Sequence, residues 1–229
     1  RGLVLRGFDL GANDHVLRPV DPNELRARAR NQIRRKRYQE RLRADLDRSL
    51  EMAVTDPLTG LRNRRYVRRH LEGVLRNSGA AVLLLDVDRF KALNDTHGHA
   101  AGDVVLRTVA ERVRGHLRAA DVVARYGGEE FIVVMSGAAT EDGMLVAERL
   151  RAAIANATIE AEGQVLSVTA SLGVASGDIG ASSDDVVAAA DAALYRAKHN
   201  GRNRVEAAIP ADWPPGANPG NGTRARGER

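Results

Sequence analysis

The feature that most constrains this chain is a Gly-Gly pair set between two apolar runs. Residues 125–131 read Arg-Tyr-Gly-Gly-Glu-Glu-Phe, and valine-rich runs precede and follow them. This pattern predicts a tight two-residue β-hairpin, whose turn needs positive φ at both Gly127 and Gly128. Glu129 and Glu130 then lie where the strands reverse, and they repel each other unless a cation or a basic ligand neutralises them. A solvated acidic turn is the alternative interpretation.

Composition indicates a folded protein of a reducing compartment. Of the 229 residues 43% are hydrophobic but only 3% are aromatic, so the core is aliphatic. The chain has no cysteine, which excludes disulfides and thiolate metal sites and favours the cytoplasm. No apolar run approaches the roughly 20 residues that span a bilayer, and we expect no membrane partner.

The positive charge is confined to one segment. The net charge is +5, but residues 24–48 hold ten Lys or Arg and four Asp or Glu, a local +6 that leaves the rest near −1. Because the remainder is not basic, we expect no general nucleic-acid surface.

The first 54 residues precede the main domain. Residues 1–20, with a short strand and Arg18-Pro19, resemble the last strand of a response-regulator receiver domain; an ordinary strand and loop is the alternative. Residues 21–54 predict one long helical stalk, with Asp21 as N-cap and Pro22 in the first turn. Its thin apolar seam is typical of a two-stranded coiled coil and consists of Ile33, Leu42, Leu46 and Leu50.

Residues 55–65 end the stalk, because Pro57 and Gly60 break a helix, and a new helix is expected near Asn63. The continuous apolar run of residues 80–85 then predicts a strand buried on both faces. It ends at Asp86-Val87-Asp88, and carboxylates at the end of a buried strand commonly hold a hard metal ion.

The rest of the chain alternates between helices and strands. Periodic apolar residues predict helices from Val104 and over residues 141–156, the latter with Leu145 turned inward. Strict alternation over residues 166–174 predicts a half-buried strand. A last helix, capped by Ser183 or Asp184, ends at Gly201, and residues 209–229 are expected to be disordered. His97 and His99 lack a third nitrogen or sulfur ligand nearby, which argues against zinc.

This element order predicts an α/β sandwich, with helices covering one mixed central sheet. If the hairpin pairs beside the strand of residues 80–86, then Asp86, Glu129 and Glu130 approach one point. Three carboxylates tolerate such closeness only with divalent cations, and Mg²⁺ prefers oxygen ligands and phosphates. Two metal ions could therefore assist displacement at a nucleotide phosphorus.

Two further pairs suit a nucleotide. Lys198 and Arg202 are one helical turn apart and could meet a triphosphate. Asn94 and Asp103 supply an amide and a carboxylate, which could bind the donors and the acceptor on the edge of guanine.

These residues resemble the GGDEF diguanylate cyclases, particularly response-regulator types with a receiver ahead of a helical stalk. The resemblance covers about residues 55–206 and rests on five motifs in order, at residues 56–65, 85–91, 94–99, 125–131 and 193–203. The signature here is Gly-Gly-Glu-Glu-Phe, a form that also occurs in active members of the family.

The resemblance implies condensation of two GTP into cyclic di-GMP on a palm-like nucleotidyl cyclase fold, by a homodimer in which each subunit presents one GTP. It implies two Mg²⁺ or Mn²⁺ ions per site, with Glu129 also as the base. The matched positions are Asp86, the Val87 carbonyl, Glu129 and Glu130 for metal; Asn94, His99 and Asp103 for guanine; and Arg89, Phe90, Lys91, Lys198 and Arg202 for phosphates.

The resemblance further implies an inhibitory site. Arg118 and Asp121, five residues or more before the signature glycines, would bind product cyclic di-GMP together with Arg149. The alternative is an ordinary ion pair at a helix end, worth under about 1 kcal/mol.

Two other functions compete with this interpretation. A catalytically silent receptor for GTP or cyclic di-GMP would usually lack the signature acids, which this chain keeps. A DNA-binding regulator acting through the basic stalk would need a recognition helix, and the sequence indicates none.

Overall fold

The structure is a computed structural model that describes residues 19 and 21–217. The chain divides into two compact units between Ala53 and Val54. The predicted receiver remnant, residues 1–20, lies outside the described residues except for Pro19.

The first unit contains one long helix, α1, at Pro22–Val54. Its start agrees with the prediction, because the backbone N–H of Asn23 donates to Asp21 Oδ1 over 2.8 Å. Ile33 and Leu42 of the predicted seam are 52% and 59% exposed in the single chain. The side chains of Leu46 and Leu50 lie outside the description. The thin seam therefore has no apolar cover at the two positions that are described.

The second unit is an α/β sandwich, as predicted. Its six-stranded mixed sheet has the order β1-β3-β4-β2-β7-β8, and β5 pairs with β6 in a separate hairpin. The elements run β1 Arg62–Asn63, α2 Arg64–Asn77, β2 Ala80–Val87, α3 Phe90–Gly115, β3 Val122–Arg125, β4 Glu130–Ser136, α4 Thr140–Ala155, β5 Ile159–Ala161, β6 Gln164–Leu166, β7 Ala170–Gly177, α5 Ser183–His199 and β8 Val205–Ala207.

Strand β2 lies at the centre and is buried along its whole length, which confirms the prediction from its apolar run. Side chains of a strand alternate between faces. Leu83 and Leu85 accordingly join the core under α3 and α4, whereas Val82 and Leu84 join the core under α2 and α5. The sheet is thus covered by helices on both faces.

Three details differ from the sequence predictions. Strand β7 is buried on both faces and begins only at Ala170, because helices cover both sides of the sheet and Leu166 belongs to the β5–β6 hairpin. Leu145 is 73% exposed, and Val146 and Leu150 face the core instead. Helix α3 begins at Phe90, well before the predicted start.

The last helix and its flanks differ by small amounts. Ser182 caps α5 by accepting from the backbone N–H of Asp185, one residue before the predicted cap. Residues beyond 209 are ordered further than predicted, since Pro210–Asp212 form a 3₁₀ helix and Asp212 binds Arg196 at 2.6 Å. Residues 218–229 lie outside the described residues.

No helix within residues 21–217 combines the length and the apolar character needed to cross a bilayer.

Candidate active site

The site begins at the end of β2. Asp86 is 6% exposed, and its Oδ2 lies 2.8 Å from Nζ of Lys198 on α5. Burial raises the pKa of Asp86 above its ordinary value, and the ammonium of Lys198 opposes that rise. The carboxylate at the end of the central strand is therefore costly to ionise, and a cation, Lys198, already contacts it.

The signature segment forms the predicted hairpin, but not the predicted turn. Strands β3 and β4 pair antiparallel with Arg125 opposite Phe131, so the five residues 126–130 separate the members of this pair. The backbone N–H groups of Tyr126 and Gly127 both donate to the carbonyl of Glu130. Neither signature glycine has φ in the left-handed region, because this longer loop needs no primed turn.

The two glycines have different surroundings. A Cβ at Gly127 would overlap the carboxylate of Glu130, whereas a Cβ at Gly128 would meet no atom within 4 Å. The space expected beside the glycines is therefore filled by protein at Gly127 and open at Gly128.

The structure places Asp86, Glu129 and Glu130 in one region, at the end of β2 and the start of β4. Asp86 and Glu130 are direct register partners on β2 and β4, and directly paired residues share one face of a sheet. Burial raises the pKa of Glu129, and the charges of Asp86 and Glu130 raise it further, while Lys198 lowers it. Glu129 is thus within electrostatic reach of both other acids.

These acids form a set of oxygen donors suited to a hard divalent cation. Among residues 19 and 21–217, no three His, Asp or Glu side chains are already gathered closely enough to hold a metal ion. Burial, and after it the charges of Asp86 and Glu130, raise the pKa of Glu129, and a divalent cation bound there would favour its ionised form. The donor chemistry therefore fits Mg²⁺ or Mn²⁺, and Val87, the buried last residue of β2, is the predicted carbonyl ligand.

The signature loop is clamped by Arg125, a residue that the sequence analysis did not single out. Its Nε and Nη2 both donate to the carbonyl of Gly128, over 3.1 and 2.7 Å. Its Nη1 reaches both oxygens of Asp56, at 3.2 and 3.3 Å. Asp56 also accepts from the backbone and the hydroxyl of Thr59. Residues 56–59 and the signature loop are thereby joined through one guanidinium.

Replacement of Arg125 by Ala is expected to lower the free energy of unfolding by about 2 kcal/mol. The Arg125 and Asp56 side chains are only 18% and 17% exposed, so solvent replaces the lost contacts poorly. Arg125→Lys is the matched control; it keeps the charge beside Asp56 and should lose about half as much. Urea denaturation measures both, and full stability of Arg125→Ala would contradict the clamp.

The residues predicted to contact guanine lie around a kink in α3. Gly98 breaks the helix with φ 83° and ψ 161°. A Cβ at Gly102 would overlap Asn94 Oδ1, which shows that the two helical halves fold against each other. Asn94 is thus brought beside Gly102, the residue that precedes Asp103. Asn94 Oδ1 is buried and has no hydrogen-bond partner among the described residues.

Asp103 and His99 are the other two residues predicted to contact guanine. Asp103 and His99 are both exposed, so their side chains are accessible to a ligand.

The residues predicted to bind phosphate lie at the start of α3 and at the end of α5. Arg89 has φ 59° and starts α3 without a side-chain cap, so the first amides of the helix lack that partner. Phe90 is 7% exposed, whereas Lys91 is exposed. Arg202 follows α5 and is exposed, and its charge acts on Asp86. The structure thus places Lys198 and Arg202 on the side of the acids.

The three predicted inhibitory residues are also brought together. The backbone N–H of Arg118 donates to Asp121 Oδ2 over 3.0 Å, and the N–H of Asp121 returns a bond to the Arg118 carbonyl. Arg149 on α4 donates to the carbonyl of His116 over 2.7 Å. Arg118 and Arg149 are both exposed, so both side chains are accessible to a ligand.

Sequence reasoning missed two residues that support the site, Arg125 and Asp88. Arg125 stands two residues before the first signature glycine, but its partner Asp56 is 69 positions away, and no local pattern joins them. The sequence indicates Asp88 only as part of the acidic strand end, whereas its carboxylate accepts from Thr169, which precedes β7, and from Ser171 in β7. Only the tertiary structure makes these contacts visible.

The family model "Diguanylate cyclase, GGDEF domain" matches residues 53–204. The chain is 44% identical over 213 residues to "Response regulator PleD" of Caulobacter vibrioides, a match that covers 90% of this chain and 47% of that protein. The chain thus spans about half the length of this curated relative.

Two solved structures are similar to this chain. One contains the coiled coil and GGDEF domain of DgcB from Caulobacter crescentus in complex with c-di-GMP; it is 33% identical, with a TM-score of 0.73, and covers 80% of this chain and 99% of that one. The other is the active GGEEF domain of a diguanylate cyclase from Vibrio cholerae; it is 29% identical, with a TM-score of 0.59, and covers 64% of this chain and 97% of that one.

The family model covers most of the chain, and its residues include every side chain of the acidic site described above. This match and the shared fold confirm the family predicted from the five motifs. The chain belongs to the GGDEF-domain family of diguanylate cyclases.

Proposed function

We propose that this chain condenses two GTP molecules into cyclic di-GMP and releases two pyrophosphates. The observation that carries the proposal is the convergence of Asp86, Glu129 and Glu130 beside Lys198, in a chain of the GGDEF family. Clustered acids that can bind divalent cations, next to a lysine, suit transfer at a phosphorus atom, because the cations and the lysine stabilise the negative charge there.

The reaction consists of two equivalent displacements. The 3′-hydroxyl oxygen of one GTP bonds to the α-phosphorus of the other. The bond between that phosphorus and the oxygen that bridges it to the β-phosphorus breaks, and pyrophosphate leaves. The same exchange in the opposite sense closes the ring. Glu129 accepts the hydroxyl proton as the general base.

Asp86, the Val87 carbonyl, Glu129 and Glu130 would hold two Mg²⁺ or Mn²⁺ ions. When bound, such ions neutralise the phosphates and lower the pKa of the attacking hydroxyl. Lys198 contributes a positive charge on the same side, since its ammonium already lies at Asp86. Arg202, Lys91 and the backbone at Arg89 and Phe90 would bind the remaining phosphate oxygens.

The base site would select guanine. A buried Asn94 Oδ1 without a partner in the described part of the chain suits a ligand N–H donor. Asp103 supplies a second acceptor, and His99 lines the same region. Guanine presents two adjacent donors, N1–H and the exocyclic amine, where adenine presents an unprotonated nitrogen; ATP would leave these acceptors unpaired.

We propose a homodimer as the active form, because each site holds one GTP and the reaction needs two facing each other. The half-exposed Ile33 and Leu42 on α1 support pairing through the helix. The match to a response regulator over 213 residues supports residues 1–20 as the end of a receiver domain. No nucleic acid is needed by this function, and we place the enzyme in the cytoplasm.

One experiment tests the central proposal. The purified chain is incubated with Mg²⁺ and either GTP or ATP, the products are separated by chromatography, and the mass of the protein is determined by sedimentation. Cyclic di-GMP from GTP alone, made by a dimer, is the expected result. GTP binding without any product would favour the silent receptor instead.

Arg118→Ala is expected to raise the concentration of cyclic di-GMP needed for half inhibition by at least about tenfold. The reason is that Arg118, Asp121 and Arg149 would bind the product, and loss of one guanidinium removes charge-assisted hydrogen bonds. Initial rates measured with added cyclic di-GMP give the value. Arg107→Ala, a change of another exposed arginine, should leave inhibition intact. Equal inhibition of Arg118→Ala and the wild type would contradict this site.

A further inference from the structure

The turn after α5 has an unusual backbone. Gly201, Arg202 and Asn203 have φ values of 116°, 63° and 47°, all in the left-handed region. Glycine adopts this conformation freely, but arginine and asparagine do so at a cost. Two such residues in succession persist only where neighbouring contacts hold them, and this kind of strain concentrates at functional sites.

Asp88 supplies one of these contacts. The backbone N–H of Asn203 donates to Asp88 Oδ2 over 3.0 Å. The hydroxyl of Thr169 donates to the same oxygen over 2.6 Å, and the hydroxyl of Ser171 donates to Oδ1 over 2.7 Å. The N–H of Asp88 itself donates to the Thr169 carbonyl. One carboxylate therefore ties the end of β2 to the start of β7 and to the turn.

The side chain of Asn203 is held from another direction. Arg151 on α4 donates from Nη1 to Asn203 Oδ1 over 2.7 Å, and Arg151 is in turn fixed by Glu148. Asn203 is thus anchored at its backbone by Asp88 and at its side chain by Arg151. The backbone of Arg202, which lies between Gly201 and this anchored residue and donates its N–H to the Ala197 carbonyl, is therefore restrained.

Asp88 differs from Asp86 in what its oxygens do. Asp86 faces a lysine and is close enough to Arg202 for their charges to interact. Both oxygens of Asp88 are already engaged by neutral donors of the protein. Asp88 is therefore built to hold the turn, and its role is separate from that of the acids at the reacting phosphorus.

We propose that Asp88 is a positioning residue that acts through Arg202, by holding the left-handed turn from which Arg202 reaches the phosphates of GTP. The inference rests on the proposed function and deepens it. The proposal predicts that replacing Asp88 weakens nucleotide binding by no more than the amount that Arg202 contributes to binding.

The test is a double-mutant cycle on nucleotide affinity. The probe is 3′-deoxy-GTP with Mg²⁺, which lacks the attacking hydroxyl, so that binding is measured by calorimetry without turnover. Asp88→Ala and Arg202→Ala should each weaken binding about tenfold. The double variant should be within about twofold of Arg202→Ala alone. Asp88→Asn keeps one acceptor for the Asn203 N–H and should lose only about threefold.

Asp212→Ala is the matched control. Asp212 also accepts from a backbone N–H, that of Ile209, and from an arginine, Arg196, but within the described part of the chain it has no hydrogen bond to the turn of residues 201–203. It should bind the probe like the wild type. If Asp88→Ala does not fold, Asp88→Asn replaces it in the cycle.

The outcomes separate the two proposals. Losses that multiply in the double variant, or an Asp88→Ala that binds like the wild type, would overturn the positioning role while leaving the proposed reaction intact. A wild-type chain that does not bind the probe would overturn both. Cyclic di-GMP formation by the wild type, assayed on the same preparation, tests the reaction on its own.

Discussion

Replacement of Asp86 by asparagine is expected to reduce cyclic di-GMP formation by at least about 1,000-fold. Asp86 is the most buried of the three site acids, and it is the one that both pairs with Glu130 in register and contacts Lys198. The amide keeps the shape but removes the charge that would hold a divalent cation. Initial rates with GTP and Mg²⁺, over a range of metal concentrations, measure the loss.

A matched change separates this effect from general damage. Asp142→Asn makes the same substitution at the start of α4, where the exposed carboxylate accepts only a long bond of 3.4 Å from Ala139 N–H. It should retain nearly the full rate. An Asp86→Asn variant that kept more than about a tenth of wild-type activity would show that the acids do not form the reaction centre.

Replacement of Gly173 by alanine is expected to cost about 4 kcal/mol of stability, or to prevent folding. Gly173 lies in β7 where α5 crosses the sheet. An added Cβ would overlap the Ala190 carbonyl oxygen and the Leu194 amide, and it would lie 2.9 Å from Leu194 Cα. These atoms belong to the helix backbone, which cannot rotate away as a side chain can, so α5 would have to move.

The control is an alanine where space exists. A Cβ at Gly73, inside α2, would meet no atom within 4 Å. Gly73→Ala should therefore stabilise the protein by about 0.5–1 kcal/mol, because alanine favours the helix and restricts the unfolded chain. Urea denaturation followed by circular dichroism measures both variants. A free energy of unfolding of Gly173→Ala within about 1 kcal/mol of the wild-type value would contradict the close packing of α5 on β7.

The movement of α5 matters for function as well as for stability. Lys198 lies on this helix and Arg202 directly follows it, so a shift of α5 displaces both cations relative to Asp86. We therefore expect the fraction of Gly173→Ala protein that remains folded to be less active than the same amount of folded wild-type protein.

Local patterns were sufficient where chemistry is local. The apolar run before Asp86 predicted a doubly buried strand, and the signature segment predicted a hairpin that presents two acids. The two-residue turn predicted from the Gly-Gly pair was wrong, because the hairpin closes through a longer loop whose N–H groups donate to the Glu130 carbonyl. Leu145 gave the wrong helix face, since periodicity alone cannot show where the sheet covers a helix.

By itself the sequence determined the kind of chemistry, because carboxylates, an amide and lysines at strand and helix ends can serve few purposes, whatever their surroundings. The tertiary structure alone decided which groups support them. Arg125 reaches Asp56 across 69 positions, and Asp88 reaches Asn203 across 115. Such contacts arise only when the strands pair in register and α5 packs on the sheet, since both oxygens of a buried carboxylate need donors that distant segments provide.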